Sequence, residues 1–412
     1  MTVPTDSQAA IAYLRSPAAI RERCGLVFAA AEAGRAPHFA LHMDRLPDTA
    51  RYVARVIRDN YPTLTIPYHA RWRHFGVGGR NRWAALASHL ASRSRKEIAR
   101  IRFDLAVTSV LLDAGAGETW SYCEPATGER FSRSEGLAVA SFDMFAAGAF
   151  SSDREEPLRA DAAALQRFDE VTLASGFQVS ADNPLVGLTG RAALLRRLGD
   201  ALAEDGELFG VQPRIGNLFD YLSGRAGNNA LAATEIFNAV LRGFSPIWPG
   251  REAIDGVNLG DVWRHSAIRG ADRTNGLVPF HKLSQWLCYS LVEPLEDAGI
   301  RVTGLDQLTG LPEYRNGGLF IDSFVLVPHR ADLLNVRHAV GVEPIVEWRA
   351  LTVVLLDRIA ELVRRELGLA PGNFPLAKIL EGGTWSAGRR LARERRPGGA
   401  SPIILDSDGT VF

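Results

Sequence analysis

The chain has 412 residues, 46% of them apolar, enough for a sizeable buried core. Lysine plus arginine equals aspartate plus glutamate at 47 each, and this formal charge of zero argues against a nucleic-acid partner, which needs a basic footprint. No apolar run reaches the ~18–20 residues of a membrane span, the first residues lack the basic and apolar parts of a signal peptide, and Cys24, Cys123 and Cys288 are too few and too far apart for a disulfide framework, so a cytoplasmic protein with no membrane partner is expected.

Ser16 and Pro17 make a cap and first-turn pair for a helix over 18–33, with Ile20, Cys24, Val27 and Phe28 at helical spacing. A second helix over 46–60 carries Tyr52, Val53, Val56 and Ile57 and stops before Pro62. The stretch 67–83 sets Gly76, Gly78 and Gly79 among Arg71, Arg73, Arg80 and Arg82, ahead of a helix over 83–91. A glycine turn at a helix start can aim backbone N–H groups at a phosphate, with Arg80 and Arg82 as candidate ligands. The same residues also read as a turn with a solvated arginine face, and they match neither the P-loop nor the dinucleotide fingerprint.

A strong helix over 96–113 ends in a glycine loop. Asp113 at its end and Trp120 just beyond offer a carboxylate and an aromatic wall of the kind a sugar site uses, although such an aspartate also serves to bond its own loop. A small hairpin is expected across 125–128. Ser132 and Glu135 have capping-box spacing before the apolar run 137–145, which makes Glu135 a cap before it is a catalyst. Helices follow over 161–175, 190–204, 218–222 and 230–241, then a long irregular segment over 245–274 in which His265 reads as structural.

The stretch 276–322 carries the chemistry. Pro279 to Leu287 starts a helix in which Leu283, Leu287 and Leu291 form an apolar ridge, while Lys282, Trp286, Tyr289 and Glu293 share another face. The helix should bend or stop near Pro294. Leu311-Pro312-Glu313-Tyr314-Arg315-Asn316-Gly317-Gly318 reads as a rigid loop that sets a carboxylate, a phenol, a guanidinium and an amide in consecutive positions. An amine on a helix and a carboxylate on a loop can make a hydrolytic pair. The bland alternative is a solvated lysine and a surface Glu313–Arg315 pair worth ~0–1 kcal/mol.

Beyond it, 319–327 is strand-like, 342–367 is a long amphipathic helix with Glu347 and Arg349 as surface or packing partners, and 381–385 starts the last helix. Glu381 either reaches a ligand past Gly382 and Gly383 or belongs to a plain helix linker. A terminal hairpin is expected from 402–405 and 410–412, turned at 407–409. With no internal repeat, the expectation is a mainly α fold. It would be one compact helical unit over 1–412 with small β-hairpin additions, divisible at most into a subdomain 1–150 and a core 151–412.

The segments Pro279-Phe280-His281-Lys282-Leu283-Ser284-Gln285-Trp286-Leu287 and Pro312-Glu313-Tyr314-Arg315-Asn316-Gly317-Gly318 resemble the uracil catabolism protein four family of fungi and bacteria. Further matching stretches are 109–117, 133–141, 346–352, 379–385 and 407–412, so the likeness covers nearly the whole chain. It implies a place in a route that opens the uracil ring on a ribosyl nucleotide and then releases a urea-type fragment. The Phe280–Gln285 and Glu313–Arg315 segments are also similar to two motifs of the queuosine salvage family. That family cleaves an N-glycosidic bond and is related in fold to helix-hairpin-helix DNA glycosylases. It has aspartate where this chain has Glu313, a change that shifts the carboxylate by one methylene.

Together these resemblances imply an N-glycosyl hydrolase acting on a small ribosyl-urea-like molecule, with or without a 5′-phosphate. Lys282 and Glu313 would be catalytic, and Tyr314, Arg315, Asn316, His281 and Trp286 would bind substrate, with Asp113, Trp120, Arg80, Arg82 and Glu381 as further candidates. No cofactor is expected, since the histidines are scattered without metal-ligand spacing. An amidohydrolase acting on the ureido group and a non-catalytic scaffold of the same route are the alternatives.

Overall fold

The computed structural model describes residues 6–113, 115–117, 119–248 and 251–406. The fold is mainly α, and among the described residues the strands occur only as two-stranded pairs. The Leu46–Asn60 helix has the expected bounds, and Pro17–Glu32, Arg95–Leu111 and Glu343–Leu367 lie within two residues of theirs. Ser16 caps as its position predicts, its Oγ accepting the Ala19 N–H at 3.1 Å. The long Glu343–Leu367 helix packs against Pro17–Glu32 and Leu46–Asn60, and also against a helix at Tyr314–Asp322. The Lys282–Asp297 helix lies on Arg95–Leu111 and Ala233–Phe244, and Tyr314–Asp322 lies on Trp385–Arg395. One apolar cluster joins buried side chains from Ile20 to Ile403, while a smaller one gathers Leu14, Ile254, Leu259, Val262 and Leu277. Among the described residues no helix is long and apolar enough to cross a membrane.

The largest departure from expectation falls in the stretch that matters most. Residues 314–322 form a helix where a loop and a strand were expected, and the strand there is only Leu326–Pro328, antiparallel to Phe39–Leu41. Packing overrides the local signal. Gly317 faces the buried Trp348, and a Cβ there would come within 2.7 Å of the indole, so the glycine permits close approach rather than a turn.

Pro294 neither stops nor ends its helix, which runs on to Asp297. Proline has no N–H for the Ser290 carbonyl, and the Trp72 indole supplies one instead at 2.7 Å. The expected helix over 161–175 is two, Ala162–Gln166 and Glu170–Gly176, capped by Asp161 and Asp169. Ala230–Ala232 is a strand parallel to Arg301–Thr303, and the helix starts only at Ala233. The irregular segment over 245–274 holds an Ala253–Ile254/Val257–Asn258 hairpin and the strand Val262–Arg264, which pairs with Leu277–Pro279. Ile404–Asp406 pairs in parallel with Arg337–Ala339, and the expected turn and strand at 407–412 lie outside the described residues.

Candidate active site

Lys282 opens its helix directly after His281, whose φ of +47° is unusual for a side chain with a Cβ. No side chain of the preceding residue caps this helix. Asp261 does so from a distance, accepting the Lys282 N–H at 3.0 Å. Arg349 holds Asp261 through two bonds of 2.8 Å, and its charge keeps that carboxyl well below the usual carboxylate range although the site is buried. The same guanidinium lies over the Phe280 ring at 4.1 Å and reaches toward the Pro312 carbonyl at 3.4 Å. One arginine of the long helix therefore braces both halves of the 276–322 stretch. Glu347 and Arg349 are buried, not surface residues, and Glu347 bonds the buried His265 at 3.1 Å.

Glu313 is the cap of the Tyr314–Asp322 helix. One carboxylate oxygen accepts the Arg315 N–H at 2.7 Å and the other the Asn316 N–H at 2.5 Å. A carboxylate has about four lone-pair directions. Both oxygens are thus anchored by backbone and keep acceptor capacity toward the cleft beside them.

That cleft is lined by Lys282, Glu313, Tyr314, Trp286, Asp113, Ser134, His69, His74 and Trp385. Burial pushes the Lys282 amine below the usual lysine range while Glu313 and then Asp113 pull it back. The amine lies 5.9 Å from the Trp286 ring centre and makes no ion pair among the described residues. Tyr314 has its phenol pushed up by burial.

The opposite wall is a layer of rings and unspent polar atoms. His74 stands edge-on to Trp286 and Trp385, at 5.7 and 6.1 Å. Burial, and then the Arg71 charge, lowers its pKa to about 4, so it is a neutral imidazole. His69 shares the same two tryptophans as neighbours and binds Glu381 through Nδ1 at 2.8 Å. Arg71, fully buried, bonds Ser109 at 2.7 Å and the Ser134 carbonyl at 3.3 Å. It also meets Asp113 at 3.1 Å, in a contact close enough for an ion pair but without hydrogen-bond alignment. Arg71 Nη2, His74 Nδ1, Trp286 Nε1 and Asp113 Oδ1 are buried without a hydrogen-bond partner. Two of them, His74 Nδ1 and Trp286 Nε1, belong to side chains that line the cleft and are what a polar ligand would satisfy. A wider groove of about 770 Å³ runs past Arg73, Arg102 and Glu293, but its arginines are already paired with Glu293 and Asp297.

Of the expected site residues, Lys282, Glu313, Tyr314, Trp286 and Asp113 come together here. Glu381 stands behind His69. The others make contacts elsewhere in the fold. Arg315 bonds the Gly399 carbonyl at 2.6 Å, and Asn316 joins the Leu311 carbonyl to the Thr384 hydroxyl. His281 bonds the Leu14 carbonyl at 2.9 Å, and Trp120 bonds the Phe177 carbonyl at 3.0 Å while stacking on its ring. In the glycine–arginine turn, Arg82 is locked in a buried pair with Glu124, Arg80 lies beside Glu129 at 3.8 Å, and Arg73 pairs with Glu293. Each of these cations already has a carboxylate. Ser132 makes no side-chain cap, and Glu135 instead meets Arg389.

The family model described as Protein of unknown function (DUF1688) matches residues 13–412. The chain belongs to this family. It is also similar to "Uracil catabolism protein 4" of Lachancea kluyveri, 39% identical over 436 aligned positions covering 98% of this chain and 99% of that protein. "Protein urg3" of Schizosaccharomyces pombe is 39% identical over 411 positions, again 98% and 99% of the two chains. For this DUF1688 member, sequence reasoning missed His69, His74 and Trp385. The histidines fall in the Pro67–Trp83 segment already marked as unusual, and Trp385 in the Gly-Gly-Thr-Trp stretch, but no spacing links them to Lys282. Among the described residues no three histidine, cysteine, aspartate or glutamate side chains gather as metal ligands would.

Proposed function

We propose that the chain acts in uracil catabolism as a hydrolase of the N-glycosidic bond of a ribosyl-urea-like molecule. The name of the Lachancea kluyveri relative supports the pathway. The bond is supported chiefly by one observation: an ion-pair-free lysine shares an aromatic-walled cleft with a carboxylate anchored at both oxygens. In this reading the C1′–N bond loosens toward an oxocarbenium-like sugar. Glu313 faces the growing positive charge and takes a proton from water, whose oxygen bonds C1′. The leaving nitrogen takes a proton from Lys282, and Glu313 returns one to the amine. Water and ribosylurea thus give ribose and urea. The unbonded His74 and Trp286 nitrogens hold hydroxyls and the ureido group, and the tryptophans exclude bulk water, which strengthens every charge interaction inside.

The test is reducing-sugar release by wild type, Glu313→Gln, Lys282→Ala and the double variant, with circular dichroism as the folding control. Each single change should cost about 10²–10⁴ in turnover, and the double little more than the worse single, because groups acting as one unit are not additive. Near-normal release by a folded Glu313→Gln protein would overturn the reading. Ammonia without free sugar would favour the ureido amidohydrolase, and no product at all the scaffold.

A further inference from the structure

Arg73, Arg80 and Arg82 of the glycine turn each face a carboxylate, yet most of another arginine group beside the same cleft does not. Trp385, Arg389 and Arg393 lie at i, i+4 and i+8 on one face of the Trp385–Arg395 helix. Trp385 lines the cleft, Arg389 lies over its ring at 5.2 Å, and Arg393 continues the row outward. Arg393 also flanks the Pro397–Gly399 turn, where its Cγ would be 2.9 Å from a Cβ on Gly399. Two more guanidiniums meet that turn. Arg133 bonds the Gly398 carbonyl at 2.9 Å and Arg315 the Gly399 carbonyl. Arg315 also lies over the Tyr314 ring at 4.7 Å, and Arg133 immediately precedes the lining residue Ser134. Four arginines thus converge at one lip of the cleft.

The charge balance there is unequal. Glu135 answers Arg389, but Arg133, Arg315 and Arg393 have no carboxylate in an ion pair among the described residues. Like charges at i, i+4 oppose helix formation, and the crowding registers on Arg393, pushed below the usual arginine range by Arg389 above all. The lip is also the start of the 14-residue Arg133–Ala146 helix, whose N-cap residue Ser132 makes no side-chain cap, the Glu135 carboxylate being the one acid in its first turn. Behind it the buried Arg71 keeps Nη2 without a partner while its Nη1 meets Ser134 and Asp113. A helix start without an N-cap side-chain bond, three guanidiniums without a carboxylate and a buried one with a free Nη2 describe a seat for a compact dianion.

We propose that Arg133, Arg315, Arg389 and Arg393, with the start of the Arg133–Ala146 helix, form a subsite for the phosphoryl group of a ribose 5-phosphate-type substrate. This rests on the glycosidase reading only in seating the ribose in the Lys282–Glu313 cleft. Arg133 and Arg393 are exposed and supply direct contacts, whereas Arg315 and Arg389 supply charge from behind the aromatic walls.

Calorimetric titration of the full chain with ribose 5-phosphate, ribose and inorganic phosphate tests this without turnover. Wild type should bind ribose 5-phosphate at least about tenfold more tightly than ribose, a preference of ~1.4 kcal/mol. Arg393→Gln, at an exposed site with no bonded partner among the described residues, should cut that preference severalfold, and Arg133→Gln with Arg393→Gln should abolish it. Arg80→Gln in the glycine turn should leave it intact. Equal affinity for ribose and ribose 5-phosphate, a preference untouched by the folded double variant, or no binding of either phosphate compound would overturn the proposal. Sugar release from an unphosphorylated riboside without any phosphate preference would sink the subsite and leave the glycosidase reading standing. A phosphate preference in a chain that releases no sugar would support the subsite and remove the glycosidase.

Discussion

Gly388 sits where the Trp385–Arg395 helix crosses the Tyr314–Asp322 helix, so Gly388→Ala probes the joint that holds Trp385 against Glu313 and Tyr314. A Cβ at this position would overlap the carbonyl oxygen of Arg315, lie 2.9 Å from its carbonyl carbon and touch the Leu319 Cβ at 3.5 Å. The obstacle is backbone, so no rotamer relieves it. The helices must part by roughly 1 Å, and overpacking of this kind costs ~1–3 kcal/mol. Alanine returns up to ~1 kcal/mol through its better helix propensity. A net loss of ~1–2 kcal/mol is therefore expected in urea unfolding. Gly25 provides the control. It lies in the Pro17–Glu32 helix with nothing within 4 Å of a Cβ, so Gly25→Ala should gain ~0.5–1 kcal/mol by the same propensity. Because the two parted helices carry the cleft walls, Gly388→Ala should also lower turnover by up to about 10²-fold, the scale of a 1 Å misplacement. A Gly388→Ala protein as stable as Gly25→Ala would refute the close crossing and the cleft built on it.

Glu313→Ala should destabilise by ~1–2 kcal/mol, since it removes both acceptors and the charge at the helix start. Glu313→Asp should keep most of that stability, and urea midpoints separate the variants. His74 titrates near 6.5 when unfolded but is lowered to about 4 in the fold. Its contribution is therefore complete above pH about 6.5 and is lost as pH falls toward 4, by ~2 kcal/mol at about pH 5. His74→Phe should flatten that slope between neutral and mildly acid urea titrations. Lys282→Met removes a shielded amine without an ion pair and should leave stability equal or ~1 kcal/mol higher while abolishing turnover, the usual trade at a functional site.

The helices were legible wherever apolar spacing and a cap agreed, as at Ser16–Pro17 and over Leu46–Asn60. They were misread where the cause lies far away in sequence. Gly317 and Gly318 read as a loop because Trp348, which needs the space at Gly317, and Pro402, which lies against Gly318, are far along the chain, and the carbonyl freed by Pro294 is answered by Trp72 from another helix. The site divides in the same way. Lys282 and Trp286 share a helix face and Glu313 stands out by its neighbours, so that half was visible in the spacing. His69, His74 and Trp385 reach the cleft only through tertiary packing, and the arginines of the glycine turn gave no sign that each had a carboxylate waiting. Asp261 and Arg349, which set the Lys282 helix start, have no local signature.

The central claim is that the bond between sugar and nitrogen breaks, and the most direct measurement follows the ureido carbon. N-ribosylurea and its 5′-phosphate, isotopically labelled at the ureido carbonyl, are incubated with the full chain, and the labelled products are separated. Cleavage beside Lys282 and Glu313 leaves every labelled carbon in intact urea, matched mole for mole by free sugar, with Glu313→Gln producing neither. Label appearing in bicarbonate, with ammonia released and the nitrogen still on the sugar, would contradict the account.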